Sequence, residues 1–401
     1  MTTEPKSDRT SALRRLPRGI WALGFVSMFM DISSEMIHAL LPVFLVTVLG
    51  AGTTMVGLIE GVGEATAAIS KLFSGWLSDR IGKRKVLTVI GYGLATLSKP
   101  LFALAPTADW VLFARFSDRV GKGIRGAPRD ALVGDIAPPE MRGAAYGLRQ
   151  SLDTVGAFLG PLLGLALMAL FADNFRLVFW VSLIPGAIAV AILVLTVKEP
   201  APKRERIARA PIDWSQLKHL GSPFWAVVAV GSVLTLARFS EAFLILRATN
   251  LGLSLTLVPL VLVIMNIVYA ASAYPMGAIS DRMGRRWIVG LGFAVLILAD
   301  LVLGMAATLW QGAIGIALWG LHMGMTQGLL TTLVADRTPQ ELRGTGFGVF
   351  HLVTGIAILF ASLIAGILWD VVGPSATFFA GATFTTVGVL GALIIARNHG
   401  R

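Results

Sequence analysis

Long apolar segments alternate with short polar, mostly basic stretches along the whole chain. Twelve such segments fall near 19–49, 54–77, 86–106, 109–135, 143–171, 176–197, 223–248, 254–279, 287–306, 309–335, 344–369 and 375–396. A helix of about 20 apolar residues crosses the roughly 30 Å hydrocarbon layer of a bilayer. The pattern therefore predicts an all-α integral membrane protein of twelve transmembrane helices. Several segments exceed one bilayer width, which predicts tilted or kinked helices.

The polar interruptions repeat. Gly75-Trp-Leu-Ser-Asp79-Arg80-Ile-Gly82-Lys83-Arg84 returns as Gly277-Ala-Ile-Ser-Asp281-Arg282-Met-Gly284-Arg285-Arg286. Leu132-Val133-Gly-Asp135-Ile-Ala-Pro138-Pro-Glu140-Met-Arg142-Gly143 returns as Leu333-Val334-Ala-Asp336-Arg-Thr-Pro339-Gln-Glu341-Leu-Arg343-Gly344. The two phrases share one offset, 202 and 201 residues. A shared offset means a duplicated half, and duplicated helix bundles are how many transporters build a central, alternately accessible site. The expected organisation is an N-terminal tail (1–18), a six-helix bundle (19–197), a linker (198–222) and a second, pseudo-symmetric six-helix bundle (223–397).

Composition agrees. Hydrophobic residues make up 55% of the chain and charged residues only 14%, where a soluble domain carries about a quarter. Mean hydropathy is +0.75. The absence of cysteine removes disulfides and thiolate metal sites. The first apolar stretch is too long for a cleavable signal peptide and lacks a small-residue cleavage site. Of 34 Lys and Arg, 23 fall on the face of the tail, linker and repeated loops, against Arg176 and Arg247 on the other. That asymmetry predicts a multi-pass protein of the bacterial inner membrane with both termini and the linker cytoplasmic. The net charge of +11 is thus a topology signal. Nucleic acid is not an expected partner, because the charges are spread over short loops.

The two loop phrases resemble the loop motif of the major facilitator superfamily, which follows helices 2 and 8. Gly156-Ala-Phe-Leu-Gly160-Pro161-Leu-Leu-Gly164 resembles that superfamily's antiporter motif in helix 5, found mostly in exporters. Asp31-Ile-Ser-Ser-Glu35-Met-Ile, Gly57-Leu-Ile-Glu60-Gly and Asp118-Arg119-Val-Gly121-Lys122-Gly123-Ile-Arg125-Gly-Ala-Pro128-Arg129-Asp130 resemble a group of bacterial efflux permeases. The resemblance implies a monomeric transporter without cofactors. It implies a gating role for Gly75, Asp79, Arg80, Gly82, Gly277, Asp281, Arg282 and Gly284, and a cavity lined by helices 1, 4, 7 and 10. One departure concerns helix 4. The superfamily pattern there is a lone Arg and an uncharged Gly-rich stretch, whereas this helix is crowded with charge.

Nine Lys and Arg lie inside the apolar segments: Lys71, Lys99, Arg115, Arg119, Lys122, Arg125, Arg129, Arg149 and Arg238. A cation at a helix centre costs about 2.5–3.5 kcal/mol, so each needs a wet cavity or a partner. Asp31, Glu35 and His38 share one face of helix 1, and helix 2 adds Glu60 and Glu64. Helix 7 supplies Arg238 and Glu241, which are one turn apart. The expected substrate cavity comprises His38, Asp118, Arg119, Lys122, Arg238, Asn266 and His322. The expected proton-coupling carboxylates are Glu35, Asp31 and Glu241, with Glu35 as the carrier and Glu241 as the partner of Arg238. Lys122 is expected to pair with Glu35 or Asp31. Arg129, Asp130, Arg149 and Asp153 read as structural ion pairs.

These features fit proton-coupled export of a small molecule across the bilayer. The alternatives are metal-ion efflux, for which His38, His322 and the methionines are candidates, and import of an anionic solute. A sensor or lipid scramblase on the same fold belongs to another class; the duplicated gating loops and the lack of an added soluble domain speak against a sensor. Met is a common filler of membrane cores, and no two His sit at close ligand spacing, so no metal site is assigned. There is no Gly-x-Ser-x-Gly, P-loop or His-Glu-x-x-His, and no enzyme activity is expected.

The charge asymmetry gives the first prediction. With Glu205→Cys as the single cysteine, an impermeant maleimide added to intact cells should leave the protein unlabelled, and lysis should expose it. Labelling before lysis would invert the topology.

Overall fold

The computed structural model describes residues 16–199, 217, 220–283, 285–338 and 342–398, and the side chains of all of these except 79, 278, 281–283, 285–286, 327–333, 335–336, 343–345 and 391–398. Twelve long helices are present among the described residues: α1 (Arg18–Val48), α2 (Thr53–Ile81), α3 (Arg84–Leu104), α4 (Ala108–Ile136), α5 (Arg142–Leu170), α6 (Phe175–Thr196), α7 (Ser222–Asn250), α8 (Leu260–Met283), α9 (Arg285–Met305), α10 (Leu309–Asp336), α11 (Arg343–Val371) and α12 (Pro374–Asn398). Eight of them are apolar enough to cross a membrane by length and composition alone. Helices α2 and α4 are not, because of the charges they carry, and they pack against each other.

The duplication is visible in the packing. In the first half α1 packs on α5 and α6, α4 on α2 and α3, and α3 on α6. In the second half α7 packs on α11 and α12, α10 on α8 and α9, and α9 on α12. Each pair recurs with both helix numbers raised by six. The sequence repeat is therefore also a structural repeat. Most of the linker lies outside the described residues.

Helix ends follow local chemistry. Thr107 caps α4 by accepting from Trp110 N–H at 3.4 Å, and Asn174 caps α6 by accepting from Leu177 N–H at 3.2 Å. Gly82 ends α2 in the left-handed region, at φ +71°, a conformation open to glycine at little cost. This is the structural reason for the Gly in the loop phrase.

Three helices are interrupted, and kinks were expected where a segment exceeds one bilayer width, as 19–49 does. Helix α1 breaks after His38 and finishes in a π-helical turn, Phe44–Val48. Helix α3 breaks at Ser98, ahead of Pro100. Helix α7 covers the segment 223–248, in which Arg238 and Glu241 were expected one helical turn apart. Instead it stops at Ala237 and restarts at Ala242. Its freed backbone groups find side chains: Ser240 N–H donates to Ser362 Oγ (3.2 Å) and Ala242 N–H to Ser240 Oγ (3.2 Å). Unwound backbone at membrane depth survives only with such partners.

We call the side holding the start of α1 and the α2–α3 turn the near face, and the opposite side the far face. At the far face the two halves are joined. Asp370 at the end of α11 caps the start of α2. Its carboxylate accepts from Thr53 N–H (2.9 Å) and Oγ1–H (2.6 Å), and from Thr54 N–H (2.8 Å) and Oγ1–H (2.7 Å). Thr256, before α8, donates to Asp173 in the α5–α6 turn at 2.7 Å. Gly57 and Gly61 let α2 lie directly on the α11 backbone; a Cβ at Gly57 would collide with the Ser362 carbonyl.

The tight α2–α11 contact predicts that Gly57→Leu forces the far face open. Ser362→Cys, buried in the present arrangement, should resist maleimide in detergent. Adding Gly57→Leu should raise its labelling rate many-fold, and an unchanged rate would refute a glycine-dependent seal.

Candidate functional site

Helix α4 carries the charge, and its neighbours answer it. Arg115 donates to Glu60 of α2 at 2.7 Å, with both side chains at most 3% exposed. Asp118 accepts from Lys99 of α3 at 2.8 Å, and Lys99 also reaches Ser34 Oγ of α1 at 3.1 Å. Arg119 lies 3.4 Å from Glu64 of α2 and 4.0 Å from Asp118. Arg125 stacks over the Tyr92 ring at 4.7 Å and comes within 4.0 Å of Asp31. Cations and acids from four helices thus form one network, with its most buried pairs at the α2–α4 and α3–α4 seams.

His38 bridges two acids. Its Nδ1 is 3.2 Å from Glu35 Oε2 and its Nε2 is 3.4 Å from Glu60 Oε2. The same Glu60 oxygen is 3.5 Å from Ser240 Oγ, in the break of α7. A chain of titratable groups therefore runs from Glu35 to the other half of the molecule. Glu60 was visible in the sequence as an acid on helix 2, but its position at this junction was not. That position depends on packing between halves.

The expected cavity residues divide. Asp31, Glu35, His38, Asp118, Arg119 and Lys122 converge in the first half. Lys122 is exposed and has no carboxylate within 4 Å among the described residues, contrary to its expected pairing; Glu64, Glu35 and Asp31 supply the surrounding negative field. Glu241 is half-buried at the restart of α7, and its field comes from His38, Glu35, Arg238 and Glu64. Arg238 does not form the expected ion pair with Glu241 among the described residues. The unwound segment destroys the one-turn spacing, and Arg238 lies 6.0 Å over the Trp319 ring instead. His322 was expected in the cavity but is fully buried between α9 and α10, with Nδ1 2.8 Å from the Gly292 carbonyl. Asn266 is half-buried on α8 and makes no side-chain hydrogen bond among the described residues. No cluster of metal-ligating side chains occurs among the described residues.

The helix 5 motif is a packing seam beside this site. Gly156 faces Met28 and Asp31, and Gly160 faces Glu35; a Cβ at position 160 would lie 2.7 Å from the Glu35 Cβ. Pro161 and Gly164 continue the seam, which lets α5 approach α1 at the two candidate acids. Arg129 and Arg149 are tied to Asp130 and Asp153 toward the near face.

In the loop phrases, Gly75 packs near Ala127 and Arg80 lies over the Trp76 ring at 5.4 Å. Arg84 of the first phrase pairs with Asp135 of the second at 2.6 Å. Glu199 accepts from the Arg84 and Lys85 N–H groups at 2.8 Å each, capping α3. Gly277 has open space around it. The side chains of Asp79, Asp281 and Arg282, and the whole of Gly284, lie outside the described residues.

A duplicated helical repeat with broken helices around a polar centre is a transporter architecture. The sequence model of the Major Facilitator Superfamily matches residues 23–247 and 242–401. The chain belongs to the Major Facilitator Superfamily. It is a secondary transporter and a multi-pass integral membrane protein, and the superfamily's transporters are not enzymes. An uncharacterized member from Methanocaldococcus jannaschii is 32% identical over 393 residues, covering 95% of this chain and 96% of that one. The class C tetracycline resistance protein of Escherichia coli is 27% identical over 320 residues, covering 74% and 78%. Among solved structures, a bacterial homologue of the human lysosomal transporter Spinster, inward-facing and occupied, superposes with a TM-score of 0.77 at 17% identity, covering 94% and 96%. At that identity the likeness shows the superfamily fold alone.

Breaking one partner of a buried pair leaves a bare charge, which costs about 3–5 kcal/mol. Arg115→Met should therefore strongly lower thermal stability in detergent, and adding Glu60→Gln should recover most of the loss. A double variant no more stable than Arg115→Met would show that the two do not compensate each other.

Proposed function

We propose that this transporter exports a small molecule from the cytoplasm in exchange for protons, with Glu35, His38 and Glu60 as the coupling group. The observation that carries the reading is the bridge of His38 between Glu35 and Glu60, joined to Ser240 of the opposite half. The halves, 19–197 and 223–397, rock about the cavity. With the near face cytoplasmic, the sealed far face, the exposed Lys122 and the half-buried Glu64 correspond to an inward-open state. Asp118, Arg119, Lys122 and Arg238 line or support the substrate space, and the loop phrases gate it.

The chemistry runs through one imidazole. With Glu35 ionised, His38 is shared between two acids. A proton arriving on Glu35 removes that acceptor and leaves His38 on Glu60 alone. Glu60 then holds Arg115, His38 and Ser240 with the same carboxylate oxygen, so its hold on Ser240 weakens. The contact between halves thus follows the protonation of Glu35. The similarity to a tetracycline resistance protein and the Gly156–Gly164 seam support the exporting direction. A second reading, import of an anionic solute, is favoured by the unpaired ammonium of Lys122.

The test begins with a thermal-shift panel of tetracycline, cationic dyes, divalent metals and organic anions, since a bound ligand raises apparent stability. Compounds that stabilise the protein are then added to proteoliposomes holding an internal pH dye. Wild type should move protons against the compound. Glu35→Gln should abolish uphill, proton-driven transport while keeping counterflow, which needs no net proton movement. Uphill transport by Glu35→Gln with a proton gradient as the sole energy source would refute the assignment.

A further inference from the structure

A second polar cluster lies in the C-terminal half, away from the acids of α1 and α2. Asp300 interrupts the apolar sequence of α9. Its side chain is fully buried. One carboxyl oxygen, Oδ1, accepts from Trp319 Nε1 at 3.2 Å, and Oδ2 has no hydrogen-bond partner. No Lys, Arg or His nitrogen lies within 4 Å of it among the described residues. Sequence reading passed over this residue, although a lone ionisable group inside a membrane segment is by default a functional candidate.

No packed element places a counter-charge within 4 Å of Asp300 among the described residues. On α9 itself, the apolar stretch 287–306 holds no other ionisable residue. From α10 come Trp319 and His322. The His322 ring is 6.5 Å from that of Trp319, and its Nε2 is buried without a partner. Because Nδ1 faces the Gly292 carbonyl, Nδ1 carries the hydrogen and Nε2 is a bare acceptor. From α12, residues 374–390 contain no ionisable side chain; a Cβ at Gly381 would lie 2.6 Å from Asp300 Oδ2 and 3.1 Å from the Phe239 ring. From α7 come Phe239, Arg238 and Glu241. Arg238 is aimed at the Trp319 ring and leaves its own Nε unpartnered; Glu241 is another acid. From α8, Tyr269 acts on Arg238.

An ionised carboxylate cannot rest here on one indole N–H. Burying a bare charge costs several kcal/mol beyond what one neutral hydrogen bond returns. A carboxylic acid fits: one oxygen accepts from Trp319, and the other carries the hydrogen toward Gly381 and Phe239. We propose that Asp300 is a second proton-binding site, placed in the C-terminal half and reported to the broken segment of α7 by Trp319. The indole is the connecting element. It donates to Asp300, stacks near Phe239 at 6.0 Å and lies under Arg238. Loss of the proton would leave an anion beside Phe239, draw the indole N–H closer and shift the ring that supports Arg238. Occupancy of Asp300 is thereby tied to the position of the cavity's C-terminal cation. This inference does not rest on the role given to Glu35.

Infrared spectroscopy of the full-length protein in lipid tests it without a transport substrate. At neutral pH the wild type should show a carboxylic-acid C=O stretch that is missing in Asp300→Asn. In Trp319→Phe the band should persist but move to higher frequency, because the indole hydrogen bond is gone. Transfer to D2O should shift the wild-type band, showing that the proton exchanges with bulk. Asp300→Glu, which keeps the acid, should retain a displaced band and serves as the check if the Asn variant folds poorly. The same spectrum in wild type and Asp300→Asn, or a band unmoved in D2O, would overturn the proposal. The first would mean an ionised Asp300, and the second a proton that takes no part in any cycle.

Discussion

Everything in the first half depends on neutralising the cations of α4 inside the protein. Arg115, Arg119 and Arg125 are each buried, and a membrane offers them no water. Their answers come from Glu60 and Glu64 on α2, Asp31 on α1, and Asp118 of α4 itself, which is held by Lys99 of α3. Helices too polar to enter lipid alone become members of the bundle because their charges cancel across the α2–α4 seam. The same requirement fixes helix rotation. Turning α4 by one residue would carry its arginines away from the acids of α2. The network is thus a register device for the helices of the first half as well as a means of neutralising their charge.

The second half keeps the packing and discards the charge. Its helices meet in the same pairs, six numbers on, yet aromatic rings occupy the centre, with Phe243, Trp319 and Phe378 each packed against Phe239. The polar function that remains is delivered by unwinding α7. The break places Ser240 against Glu60 and Arg238 over Trp319. An unbroken helix would have spent its backbone groups on itself and set Arg238 beside Glu241.

Architecture was legible in the sequence because it rests on local signals. Segment length and the repeated loop phrases suffice for twelve helices and a duplicated half, and the Gly-x-x-x-Asp-Arg phrase identifies the superfamily. The first-half acids were legible too, since i, i+4 and i, i+7 spacing sets Asp31, Glu35 and His38 on one face whatever the tertiary fold. What failed was everything set by contact between distant segments. No Pro or Gly marks the break at 238–241; it is stabilised by Ser362, over a hundred residues away. His322 was assigned to the cavity because helix 10 lines cavities in the superfamily, but its rotation turns that ring toward α9. Asp300 stands alone in its apolar segment, so no cluster of charge in the sequence singles it out.

The contacts between the two halves differ in strength as their positions require. At the far face, four hydrogen bonds converge on the single carboxylate of Asp370, and Gly57 brings backbone against backbone. At the centre, Ser240 Oγ–H meets Glu60 Oε2 at 3.5 Å, the long limit of a hydrogen bond. A far-face joint must hold while the other side is open, and its exposed Asp370 carboxylate can exchange partners with water when it parts. A central joint has no such water in reserve, and a strong bond there would be a barrier in every cycle. A weak contact to an oxygen already shared by Arg115 and His38 avoids that barrier. It also makes the contact sensitive to the state of its neighbours, because whatever draws Glu60 toward Arg115 or His38 takes it from Ser240. The weak Glu60–Ser240 contact is therefore the one most responsive to the charges around it.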